Sequence, residues 1–382
     1  MSHSPPSCRV SFTPRSLTVH WPDGASSEFA SLWLRDNCRA DRDAHSGQRL
    51  ADVADLPQDP QIRSAVARAD AVLIEWERES RQSSFELGWL ARHAWAIPSG
   101  GEATRRLWLE GASLNASRDF AWKTLAAVRA APTVRRDWLS RLLADGIAFL
   151  SEVPCEENAL LETVELIGRV AATNYGQVFD VRFVPQPENL AYSDLGLGLH
   201  TDNPYREPVP GFQALHVLVA SPEGGASLFA DGFAIAEHLR ATKPEHFARL
   251  AHTAVGFHYR SKDAELYAER PLIQLSCDGR ISAVHYNNRS IAPLRLPPAE
   301  MAPFYDAYRH FATLLREPGL QLRLQLREGD LVAFDNQRIL HGRTAFSSAR
   351  FRRHLRGCYL TRDSVCSESA LLKRQYPIGV DS

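Results

Sequence analysis

The side chains with the most chemistry in this 382-residue chain lie in two short stretches. In "LGLHTDNPYREP", His200 and Asp202 stand two apart at the end of an apolar run. On an extended backbone such a pair leaves the same face, so an imidazole and a carboxylate can reach one ion. Among 14 histidines a lone His-x-Asp is unremarkable, and by itself it reads first as a hydrogen-bonded polar pair at a strand end. The second stretch, "LVAFDNQRILHGRTAF", puts His341 at the end of another apolar run. Two imidazoles and one carboxylate form the facial triad of non-heme Fe(II) oxygenases, which leaves positions open for a cosubstrate and O2. Arg353 follows in "FRRHLRGCYL". Its planar guanidinium suits the distal carboxylate of 2-oxoglutarate, a keto acid that chelates iron from its other end. A zinc hydrolase can use the same three donors, but it needs a general base and has no use for Arg353. A non-catalytic binding protein descended from such an enzyme would have lost ligands, and here all three are present.

The elements around these residues are mostly short strands. From about residue 120 the runs "IAFLSEV", "GFQALHVLVA", "ASLFADGF", "LIQLSC", "ISAVHYNN", "LVAFDN" and "RGCYLT" read as β. "TVRRDWLSRLLADG" reads as an amphipathic helix stopped by Gly146, and "ENALLETVELIGRVA" as another. Two further helices are expected around 232–252 and 298–316. Many short strands with few helices predict a mainly β fold, a sandwich or jelly roll with helical buttresses, and no glycine-rich loop opens a nucleotide-binding βα unit. Residues 1–115 read as a small β-rich N-terminal domain, with short helical pieces at "SLWLRDNC" and "FELGWLARHAW", and residues 116–382 as the catalytic domain.

Composition narrows the function classes. A net charge of -1 gives no basic footprint for nucleic acid or an anionic membrane. No apolar run approaches the ~18 residues of a membrane span, and no signal peptide is visible at the N-terminus. The six cysteines have no paired spacing and read as reduced thiols of a cytoplasmic protein.

The arrangement "HTD … FDNQRILHGR … RRHLRGCY" resembles the γ-butyrobetaine and trimethyllysine hydroxylases, within the taurine-dioxygenase group of Fe(II)/2-oxoglutarate enzymes. The likeness extends to "SLWLRDNC" and "GQRL" in the front and to "PGFQALHVL" and "GGASLFADGF" behind. It implies a double-stranded β-helix catalytic domain with a smaller N-terminal domain, commonly as a homodimer. It implies iron bound by His200, Asp202 and His341, 2-oxoglutarate bound by Arg353, and O2 as second cosubstrate. It also implies an N-terminal zinc held by three cysteines and a histidine. Here Cys38 stands at the first position, but Ala40 and Asp43 occupy the next two and Arg81 falls near the histidine's place, so the domain is expected to fold without zinc.

Laid on the family pattern, the aromatic cage for a trimethylammonium group falls on Tyr175, Phe179, Tyr192 and Tyr359. Cation–π faces suit a group that cannot donate hydrogen bonds. The anionic end of the substrate falls on Asn189 and Asn287. Asn189 is the residue of the butyrobetaine hydroxylases, where the trimethyllysine enzymes carry aspartate, so trimethyllysine ranks third. Strand alternation places Arg289 on the face of Asn287. A phosphonate, with up to two charges, calls for that extra guanidinium. The leading expectation is therefore hydroxylation of 2-(trimethylammonio)ethylphosphonate next to phosphorus, with γ-butyrobetaine as the alternative.

Overall fold

The computed structural model describes residues 8–95, 105–184, 193–348 and 352–377. The chain divides into two units, Met1–Glu102 and Ala103–Ser382. This division falls earlier than the 115/116 boundary expected from composition, because Trp108 belongs to the second core. Its ring lies 5.4 Å from that of Phe120, and its indole N–H donates to the Asp145 carbonyl at 2.9 Å. No helix among the described residues is long and apolar enough to cross a membrane.

The first unit contains two three-stranded antiparallel sheets, Arg9–Thr13, Ser16–His20, Ser26–Ala30 and Ile62–Arg68, Ala71–Trp76, Gln82–Glu86. Alternation along the strands sends Leu17, Val19, Val72, Ile74 and Trp76 into one core, joined by Leu34 and Leu90 from the short helices Ser31–Asp36 and Leu87–Arg92. Residues at positions that the resemblance assigns to zinc ligands lie beside an ion-pair network. Arg81 donates to Asp41 at 2.7 Å and lies 3.9 Å from the Cys38 sulfur, while Arg35 bridges Asp41 and Glu79. Burial would raise the Asp41 carboxyl, but Arg81 and Arg35 hold it below the usual carboxylate range. Asp43 turns away into its own loop, accepting from Ser46 and His45.

The second unit is a double-stranded β-helix built from a larger and a smaller sheet. The larger runs in the order Phe179–Arg182, His354–Leu360, Phe212–Val219, Leu331–Asp335, Ile147–Ser151, Ala121–Thr124. The smaller runs Leu197–His200, Ile339–Arg343, Ser227–Asp231, Leu322–Leu324. The strand Leu331–Asp335 is buried at every position, which is why it reads as one continuous apolar run. Phe149, Val217, Phe229, Phe334 and Leu355 share a core cluster drawn from both sheets.

Helices buttress the sheets. The helix Pro132–Asp145 stops where expected, at Gly146, whose φ of 78° places it in the left-handed region. The helix expected over 232–252 is two, Gly232–Thr242 and Pro244–His252, because Pro244 cannot continue the ladder and drives Lys243 out of helical backbone. Only Ala159–Val164 of "ENALLETVELIGRVA" is helical. Its downstream Gly168 packs against Ser364 and Val365 so closely that a Cβ would come within 2.7 Å of Ser364 Oγ.

A buried ion pair ties the metal-bearing strand to this scaffold. Arg338 donates to Asp231 at 2.8 Å with both side chains essentially sealed from solvent, and also to the carbonyls of Ala144 and Arg106. Asp231 in turn accepts from the backbone N–H groups of Phe233, Ala234 and Trp108. Asp231→Ala strands the guanidinium without its counter-charge, so denaturant unfolding of the apoprotein is expected to show a loss of about 3–5 kcal/mol. A change below about 1 kcal/mol would mean that the surrounding carbonyls suffice.

Candidate metal centre

His200 ends the strand Leu197–His200 and is the register partner of His341 on Ile339–Arg343, so the sheet ladder itself sets the two imidazoles side by side. Their ring centroids are 4.3 Å apart. Asp202 follows where the chain leaves the strand, with Oδ1 3.3 Å from His200 Nε2 and Oδ2 3.8 Å from His341 Nε2. The ligand atoms of the three residues all lie within 4.8 Å of one another.

The surroundings hold two of the three donors in place. His200 Nδ1 is 2.9 Å from the Gly198 carbonyl, which makes Nδ1 the protonated nitrogen and leaves Nε2 as the donor to an ion. Asn336, fully buried, clamps the Asp202 backbone from both sides: its Oδ1 accepts from Asp202 N at 2.8 Å and its Nδ2 donates to Asp202 O at 3.0 Å. Asn203 then takes a left-handed φ of 55°, a conformation asparagine tolerates better than most residues, and accepts from the Tyr205 hydroxyl at 2.6 Å.

Burial, followed by the neighbouring His200, pushes His341 down to about 3. Burial would raise Asp202, but His341, His200 and the Tyr359 hydroxyl together hold it well below the usual carboxylate range. A neutral imidazole and an ionised carboxylate are the states a divalent ion requires. The donor set fits Fe(II).

The centre opens into a cavity of about 440 Å³ lined from both sheets. Arg353 reaches it from the start of the strand His354–Leu360, passing over Gly225, where a Cβ would come within 2.9 Å of its Cδ. Arg353 is 8 % exposed and makes no hydrogen bond or ion pair with the described residues, so it is a buried cation without a counter-charge among them. Burial, with Arg343 nearby, pushes it down to about 10, still charged at neutral pH.

The aromatic wall is larger than the sequence suggested. Tyr175 and Phe179 line the cavity as expected, as does Tyr359, whose ring centroid is 5.1 Å from that of Phe179. Tyr205 and Tyr259 complete the wall and were missed. Their rings stack at 5.1 Å, and Tyr175 meets Tyr259 edge-on at 5.9 Å. Burial pushes Tyr205 up to about 12 and Tyr175 higher still, so these phenols are neutral and present undiminished ring faces. Tyr205 had a usable signal in its spacing from Asp202, whereas Tyr259 sits in an ordinary strand. Asn189 and Tyr192 lie outside the described residues.

Asn287 and Arg289 both line the cavity, but strand alternation is not the cause. The strand Ile281–Val284 has ended, and the two residues sit in a turn closed by Arg289 N on Asn287 Oδ1 and Ser290 N on Asn287 O. Arg289 is exposed and contributes to the cavity lining. Burial lowers its pKa, with Asp202 and Tyr205 opposing. Its guanidinium makes no hydrogen bond or ion pair with the described residues, and neither does that of Arg260. Against Arg260, Arg289, Arg343 and Arg353 the described lining contains one carboxylate, Asp202.

Residues 113–359 match the family described as taurine catabolism dioxygenase TauD, TfdA family. The chain belongs to that family. Residues 8–91 match the gamma-butyrobetaine hydroxylase-like N-terminal family. This TauD/TfdA dioxygenase is 34% identical to a gamma-butyrobetaine dioxygenase of Pseudomonas sp. (strain AK-1) over 97% of each chain. It is 28% identical to a trimethyllysine dioxygenase of Meyerozyma guilliermondii over 95% of each chain. A human gamma-butyrobetaine dioxygenase is 27% identical, over 95% of this chain and 96% of the relative. The dioxygenase uses Fe(II), 2-oxoglutarate and O2.

Proposed function

We propose that this dioxygenase hydroxylates a small zwitterion made of a trimethylammonium head and an anionic tail, with γ-butyrobetaine, giving L-carnitine, as the first substrate. The observation that carries this reading is one cavity uniting a His-Asp-His donor set, a wall of five aromatic rings, and the guanidiniums of Arg289 and Arg353, which make no ion pair with the described residues. His200, Asp202 and His341 hold the iron. Fe(II) with 2-oxoglutarate and O2 supplies the oxidant for an unactivated C–H bond. Arg353, 8 % exposed, would take the distal carboxylate of 2-oxoglutarate, a group its planar fork suits. The rings of Tyr175, Tyr205 and Tyr259, with Phe179 and Tyr359, take the quaternary ammonium through their faces. Asn287 and Arg289 take the anionic tail and so hold the reacting carbon at a fixed place relative to the iron. The names of the relatives, above all the Pseudomonas gamma-butyrobetaine dioxygenase, support the carboxylate tail.

One observation favours a second reading. The guanidiniums of Arg289 and Arg260 make no hydrogen bond or ion pair with the described residues, and a monoanionic carboxylate does not need both. A dianionic tail does, which supports 2-(trimethylammonio)ethylphosphonate as a further substrate. Substrate-dependent 2-oxoglutarate consumption with the two zwitterions side by side separates the readings by their specificity constants. Arg289→Ala is expected to cost the phosphonate about 2–5 kcal/mol and γ-butyrobetaine much less. Equal losses would assign Arg289 to the fold, and no stimulation by either zwitterion would overturn the substrate class.

A further inference from the structure

Tyr359 contributes its ring to the aromatic wall, but its hydroxyl is turned toward the metal centre and donates to Asp202 Oδ2 at 2.8 Å. We propose that Tyr359 is a positioning residue for the metal-ligand carboxylate, holding Oδ2 so that Oδ1 remains the donor to the ion. The proposal rests on the reading of His200, Asp202 and His341 as ligands.

Tyr359 is built to hold one orientation. It lies inside the larger sheet, paired with Gln213 on one side and Ala171 on the other, and is 4 % exposed. The Phe179 ring packs against it, seated over Gly357, where an added Cβ would come within 2.5 Å of the Phe179 ring. A carboxylate oxygen that accepts a hydroxyl hydrogen bond is the weaker of the two metal donors, which biases Asp202 toward binding through one oxygen. Outer partners of this kind change metal affinity by about 10–100-fold when removed. One side chain thereby belongs to both the substrate wall and the metal centre.

The test uses the full-length apoprotein titrated with Co(II), a spectroscopic stand-in for Fe(II), without 2-oxoglutarate or substrate. Tyr359→Phe keeps the ring and deletes only the donor. It is expected to weaken Co(II) binding by about 10–100-fold and to alter the visible cobalt spectrum, with the apoprotein melting temperature retained. Unchanged affinity and an unchanged spectrum in a folded variant overturn the proposal. His341→Ala is titrated in parallel. If that variant binds Co(II) as the unaltered protein does, it is the metal-site reading that has failed. Should Tyr359→Phe not fold, the unaltered protein still decides. Metal addition is expected to give a tyrosine ultraviolet difference signal as the ion draws charge from Asp202, and its absence overturns the proposal.

Discussion

Asp202→Ala abolishes substrate-dependent 2-oxoglutarate consumption and removes tight Fe(II) binding while leaving the fold intact. The loss is expected to exceed 10³-fold, on the order of 4 kcal/mol or more, because a donor set of two imidazoles has neither the charge nor the third position that Fe(II) needs. The fold survives because the Asn336 clamp grips the backbone at residue 202, not the carboxylate. Isothermal titration with Fe(II) under anaerobic conditions and a melting curve of the apoprotein read the two effects separately. Retained turnover in a variant that melts normally would remove Asp202 from the metal site.

Arg353→Met raises the concentration of 2-oxoglutarate needed for half-maximal turnover by on the order of 10²–10³-fold, with a smaller effect on the zwitterionic substrate. The estimate follows from removing the charged partner of a desolvated anion, about 2–5 kcal/mol, at about 1.4 kcal/mol per decade. Arg353→Lys is expected to recover little, because an ammonium cannot replace the planar two-pronged contact. The variant should be at least as stable as the unaltered protein, since it deletes a buried cation that has no counter-charge among the described residues. An unchanged requirement for 2-oxoglutarate would transfer the carboxylate to Arg260, Arg289 or Arg343, the other guanidiniums of the cavity.

The parts of the site legible in the sequence are those whose meaning is local. His200 and Asp202 share a strand end, His341 follows the Asp-Asn turn that ends an apolar strand, and Gly146 stops its helix by backbone conformation alone. What stayed hidden depends on contacts between distant segments. Asn336 acts on Asp202 across 134 residues of sequence, and nothing in "FDNQR" announces it. Tyr259 joins the wall because the hairpin Ala254–Pro271 docks on the 290–292 segment through His258 N on Ser290 O and Ala292 N on Gly256 O. Arg289 was placed in the cavity for the wrong reason: a turn, not strand alternation, turns it inward. The helix over 232–252 was read as one because its apolar spacing continues across Pro244, where the backbone does not.

His200 and His341 face each other as rungs of a β ladder, and the strand bearing His341 is bolted to the scaffold by Arg338 and Asp231. Two of the three metal donors are therefore gathered by the fold before any ion arrives. In small zinc modules the ion and the fold form together, and losing one loses the other. Here strand pairing, not a metal, sets the two imidazoles side by side.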